Sequence, residues 1–84
     1  MEHVIVERVF AEHVDVERFA ALSREGASCF AMRNVRPLRT WLAADGKRMI
    51  CEYLAPDAES VRVANELAGL PFERAWTGRF VEHG

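Results

Sequence analysis

The Asp45-Gly46 pair sits between two runs that read as strands, Val35 to Ala43 (VRPLRTWLA) and Lys47 to Ala55 (KRMICEYLA). An Asp-Gly pair supplies the positive φ angles that a tight hairpin needs. The two runs are therefore expected to pair antiparallel around Ala44-Asp45-Gly46. Pro37 has no N–H to give to a ladder, so the first of these strands belongs at a sheet edge or carries a bulge there.

The flanking segments complete the pattern. His3 to Phe10 (HVIVERVF) is rich in Val, Ile and Phe and lacks Gly and Pro, which is a strand signal. After Asp15, apolar residues recur at helical spacing to about Arg33: Val16, Phe19, Ser23, Gly26 and Phe30, with Leu22 and Ala27 beside them. Asp15 can cap that helix and Glu17 suits its positive end. Gly26 is expected to let the helix approach the sheet closely, and Asn34 is a reasonable stop. Asp57 caps a second helix, Ala58 to about Leu67, with Val61, Ala64 and Ala68 on its buried stripe. Gly69 fits the left-handed position after the helix, and Pro71 prevents its continuation. Phe72 to Val81 reads as a last strand, with Trp76 and Phe80 on one side.

The order β-α-β-β-α-β predicts an α+β, ferredoxin-like arrangement, with two helices on one face of a four-stranded antiparallel sheet. At 84 residues the chain is read as a single domain over 1–84. A domain this small buries only about 60% of its unfolded surface, so self-association is a natural source of further burial.

Alternation supplies a stronger reason for a partner. Met49, Cys51, Tyr53 and Ala55 share one face of their strand, and Ile50, Glu52 and Leu54 share the other. Val4, Val6, Arg8 and Phe10 likewise oppose His3, Ile5, Glu7 and Val9. A sheet with one solvated face should alternate apolar with polar. Both faces here are largely apolar, and no third layer is left in the chain. A homodimer that covers the second face is the expected outcome.

Charge and cysteine usage narrow the function. The formal net charge is −2 with acidic and basic residues interspersed, so the basic footprint that holds a phosphate backbone is missing and nucleic acid is not an expected partner. The apolar stretches are too short for a membrane span, and Met1-Glu2-His3-Val4 lacks a positive leader region. Cys29 and Cys51 form no close-spaced pair and read as small buried hydrophobes. Free thiols in the cytoplasm are the simplest reading.

Two constellations could carry chemistry. Strands one and four should be antiparallel neighbours, which brings Glu2-His3 towards Glu82-His83. Two imidazoles and two carboxylates suit a borderline divalent ion such as nickel or zinc. His13, in the loop with Glu12 and Asp15, is a further candidate ligand with help from a partner chain. The second constellation is a ligand cleft on a sheet face, with Glu7, Glu52, Arg39, Tyr53 and Trp41 as its candidates. Glu7 and Glu52 either sit together there as a carboxylate pair or form ion pairs with Arg39, Arg36 or Arg74. Arg8 is expected to pair with Glu52 or Glu73. The aromatics Trp41, Tyr53, Trp76 and Phe80 are expected in core and interface packing, with a pocket for a flat small molecule as the alternative. No organic cofactor motif is evident, and catalytic residues are not assigned.

A series of short motifs adds to this reading: V-I-V-E-R-V-F (Val4 to Phe10), L-R-T-W (Leu38 to Trp41), A-D-G-K (Ala44 to Lys47), I-C-E-Y-L-A-P (Ile50 to Pro56) and A-G-L-P-F-E-R (Ala68 to Arg74). In this order and spacing the chain resembles a family of small bacterial proteins of unknown function that includes a nickel-binding actinobacterial member. Glu7-Arg8, Cys51, Tyr53 and Ala55-Pro56 match the family pattern. Trp41 stands where Tyr is frequent, Thr40 where Ser is, Arg36-Pro37 where an aromatic is common, and Glu52 where an apolar residue is. The resemblance implies a ferredoxin-like fold, a homodimer and nickel bound at the dimer surface. The chain is thus expected to be a metal-binding protein rather than an enzyme, with a ligand carrier or enzyme built on the sheet-face cleft as the alternative.

Overall fold

Strand β1 (Glu2–Val9) runs through the middle of the sheet, between β3 (Arg48–Ala55) and β4 (Arg74–Gly78). In this computed structural model, which describes residues 1–84, β2 (Arg36–Leu42) lies outside β3 and completes the order β2-β3-β1-β4. All neighbouring strands are antiparallel. Helices α1 (Val16–Glu25), α2 (Ala27–Ala31) and α3 (Ala58–Leu67) supply the crossovers. This is the ferredoxin-like arrangement that the element order predicts.

Alternation along the central strands decides where the core lies. Val4, Val6 and Arg8 of β1 and Met49, Cys51, Tyr53 and Ala55 of β3 are buried on the helix-covered side. Phe30, Val35, Val61, Ala64, Leu70 and Ala75 complete the core cluster from the helices, connections and β4. His3, Ile5 and Glu7 with Ile50, Glu52 and Leu54 occupy the open side and are half-buried. No helix is long and apolar enough to cross a membrane.

The first helical segment departs from its expected form. The stripe from Asp15 to Arg33 is not one helix but two, broken at Gly26 (φ −87°, ψ 1°). Gly26 approaches the C-terminal end of α3 rather than the sheet: a Cβ built on it would overlap Cβ of Ala68. Asp15 caps α1 by accepting from the Arg18 N–H at 3.1 Å. Asn34 ends α2 in the left-handed region at φ 58°. Helix α3 has the expected bounds, and Asp57 Oδ1 accepts from both the N–H and the hydroxyl of Ser60 at 2.7 Å. Those bonds hold the exposed Asp57 carboxyl below its usual pKa.

The hairpin forms as expected, but by a different turn. Only Gly46 has positive φ, at 72°; Asp45 does not share it. The Asp45 carboxylate instead accepts from the Lys47 N–H at 2.9 Å, a local bond that an Asp side chain offers a turn. A Cβ on Gly46 would also meet the Cβ of His13 at 2.9 Å, because the loop after β1 packs on this turn. Pro37 lies on the edge strand and at an irregularity: the β2–β3 register shifts between Pro37 and Arg39. Strand β4 is shorter than Phe72 to Val81, and Phe80 and Val81 lie exposed beyond its end.

The contact between Gly26 and Ala68 gives a paired test. Gly26→Ala should destabilise the fold by about 1–3 kcal/mol through overpacking. Ala68→Gly in the same chain should restore part of that loss, although it removes a helix-favouring residue. Urea denaturation of the two single variants and the double variant measures the coupling.

Candidate functional site

The open face carries two carboxylates, each held by its own set of donors. Glu52 on β3 is held by two hydrogen bonds and one ion pair. His3 Nε2 lies 3.1 Å from Oε1, Trp41 Nε1 donates to Oε2 at 3.1 Å, and Arg39 Nε lies 3.4 Å from Oε2. Glu7 on β1 accepts from Trp76 Nε1 at 2.8 Å and lies 3.8 Å from Arg74 Nε. Register explains both sets. Ile5 faces Glu52 and His3 faces Leu54, so His3 and Glu52 are diagonal neighbours. Arg39 stands directly opposite Glu52, and Arg74 opposite Glu7.

Glu7 and Glu52 therefore do not work as a carboxylate pair. Each is neutralised by a different arginine, which is the ion-pair alternative foreseen for them. Tyr53 does not belong to this face at all. It points to the helix side, so Glu7, Glu52, Arg39, Tyr53 and Trp41 cannot line one cleft.

Arg8 also departs from expectation. It forms no ion pair with Glu52 or Glu73. Its side chain is 1% exposed, buried among the core groups on the helix side. The guanidinium donates to the Asn65 Oδ1 at 2.8 Å, the Tyr53 hydroxyl at 3.0 Å and the Pro71 carbonyl at 3.0 Å. Its Cζ lies 5.1 Å from the Phe19 ring centroid, a cation–π contact. No carboxylate compensates this charge, and its buried Nε has no hydrogen-bond partner. Asn65 is fixed in turn by donating to the Val61 carbonyl at 2.8 Å.

The candidate metal ligands are spread more widely. His3 is half-buried on β1; Glu2, Glu82 and His83 are exposed, the last two beyond the end of β4. His3 stands opposite Gly78, where the pairing of β1 with β4 ends, and Glu82 and His83 follow four and five residues later. His13 is exposed in the loop beside Gly46. One chain brings no three His, Cys, Asp or Glu side chains into a metal-holding group. Of these residues only His3 is held by another side chain, through its contact with the carboxylate of Glu52. The sequence reading placed both residues on this face but missed that they touch. Parity assigns faces, whereas the diagonal contact depends on the β1–β3 register. Arg8 was legible in principle, because it shares the parity of Val4 and Val6.

A family model for nickel responsive SCO4226-like proteins matches residues 5–77. The fold is similar to the crystal structure of SCO4226 from Streptomyces coelicolor A3(2), with a TM-score of 0.82 and 15% sequence identity. That likeness covers 95% of this chain and 99% of the other. No curated protein matches the chain in sequence.

Tyr53 is the one tyrosine of the chain, which makes its environment measurable. Burial pushes its hydroxyl up to about 12; the neighbouring Cys51 adds to the rise and the Arg8 guanidinium opposes it. Absorbance at the phenolate band should show ionisation near pH 12 in the folded protein and near pH 10 in denaturant. An acid whose folded pKa lies above its unfolded one contributes stability that is complete below the unfolded pKa. Stability should fall as pH rises from 10 to 12, and Tyr53→Phe should lack that Tyr53-linked part of the fall.

Proposed function

We propose, from the premise that the chain belongs to the family of nickel responsive SCO4226-like proteins, that it binds nickel as a homodimer through His3. The bond between His3 and Glu52 carries this reading. An ionised carboxylate only accepts, so in the neutral ring this contact assigns the His3 proton to Nε2 and the lone pair to Nδ1. A histidine oriented by a carboxylate in this way is a prepared metal ligand, since the partner fixes its tautomer and ring orientation. Trp41 and Arg39 hold the other oxygen of Glu52, which keeps that carboxylate in place. Imidazole and carboxylate donors fit a borderline divalent ion.

One chain supplies too few donors at this point to enclose an ion. Glu2, Glu82 and His83, water and a partner chain would supply the rest. The open face favours such a partner. Ile5, Ile50 and Leu54 lie on it between Trp41, 63% exposed, and Trp76, 45% exposed. Placing this face against a second copy would remove both indole rings from water without leaving Glu7 or Glu52 unpaired. The free thiols of Cys29 and Cys51 fit a reducing compartment such as the cytoplasm.

Calorimetric titration of nickel into the purified protein tests the metal reading. His3→Ala should abolish the main binding event. Glu52→Gln should weaken it by about 10–100-fold, the usual effect of losing an orienting partner. His13→Ala should leave it unchanged, because His13 lies beside the hairpin turn at the other end of the sheet. Absence of heat with the unaltered protein would sink the proposal. Sedimentation should show a dimer that Ile50→Asp converts to monomer.

A further inference from the structure

The helix side of the sheet is not packed solid. A cavity of about 380 Å³ lies between α1, α2 and the β2–β3 half of the sheet. It has room for roughly a dozen water-sized groups and falls within the range of small-molecule sites. Its origin can be followed in the sequence. Helix α1 has no fully buried residue, and the helices face the cavity with the small Ser23, Ala27 and Ala31 where larger side chains would fill it. Ala27, Ala31 and Thr40 line it and are exposed, so it is reached from solvent.

The walls define a chemistry. Phe30 and Tyr53, stacked with ring centroids 5.6 Å apart, stand with Phe19, Val35 and Leu70 around it. No Asp or Glu lines the cavity, and its one fully charged residue is Arg36. The Arg8 guanidinium lies directly behind two of the walls, over the Phe19 ring and 3.0 Å from the Tyr53 hydroxyl. Its charge has no carboxylate partner. In a low-dielectric setting an unneutralised cation acts over several ångströms. The cavity is thus apolar in its walls and positive in its field.

We propose that this cavity binds a small apolar molecule with an anionic head, such as an aromatic or short aliphatic carboxylate presents. The site lies on the opposite side of the sheet from His3 and Glu52, and it does not depend on the nickel reading.

Titration with 2-naphthoate, followed by NMR of the metal-free protein, tests this. Binding should saturate at one molecule per chain and shift the resonances of Phe30, Val35 and Leu70, leaving the indoles of Trp41 and Trp76 unmoved. The same ring system with a positive head, 2-naphthylmethylammonium, should bind at least about tenfold more weakly. Ser23→Phe and Ala27→Trp, which fill the cavity from the two helices, should each weaken 2-naphthoate by about tenfold or more with far-UV circular dichroism retained. Absence of saturation at millimolar probe would overturn the proposal, as would shifts centred on Trp41 and Trp76. Equal binding of the two probes would overturn the anionic assignment. If the filled variants fail to fold, the shift map and the probe pair decide on the unaltered protein.

Discussion

The Arg8 guanidinium joins more of this fold than any other group. From near the end of β1 it reaches Tyr53 on β3, Asn65 on α3 and the Pro71 carbonyl before β4, and it lies over Phe19 on α1. Four elements and one connection therefore depend on the position of a single side chain. Hydrogen bonds to a charged group contribute about 1.5–3 kcal/mol each, which offsets the desolvation of a weakly hydrated guanidinium. A lysine could not replace it, because one ammonium cannot reach three acceptors spread in a plane while covering a ring. The absence of a carboxylate partner leaves a lasting positive field in the core, and the helix side of the sheet takes its character from that charge.

The two faces of the sheet divide the polar groups between them. Carboxylates stand on the open side, where Glu7 and Glu52 are met by indoles, arginines and His3. The uncompensated cation stands on the helix side. A sheet only one residue thick thus separates a face whose carboxylates are paired from a core whose cation is not. Strand alternation alone produces this, since Glu7 and Arg8 are adjacent in sequence and point in opposite directions.

Much of the fold was readable from residue pattern. The strand order, the edge position of Pro37 and the limits of α3 follow from turn residues, caps and period. Glycine is a poor helix former, so a break at Gly26 is locally permitted, but its close approach to Ala68 is a long-range contact that no local rule contains. The end of β4 at Gly78 escaped for a similar reason: Phe80 and Val81 look like strand residues but lie beyond the pairing with β1. At the site, parity placed His3, Glu7 and Glu52 on one face. The same parity puts Tyr53 on the other face, where the structure has it buried. The contact of His3 with Glu52 depends on the register of β1 against β3, which the hairpin between β2 and β3 does not fix.

The outer edge of β2 bears on how this protein behaves at high concentration. All seven residues of that strand are exposed, so its free N–H and C=O groups are open to another chain. Pro37 removes one donor, the irregularity after it bends the strand, and Arg36 and Arg39 place like charges along it. Each of these opposes the addition of a further strand. The opposite edge, β4, is only five residues long. Growth of the sheet into a fibril is therefore hindered at both ends, while face-to-face association remains open. Such a chain can keep a sticky flat surface for a specific mate without polymerising through its borders.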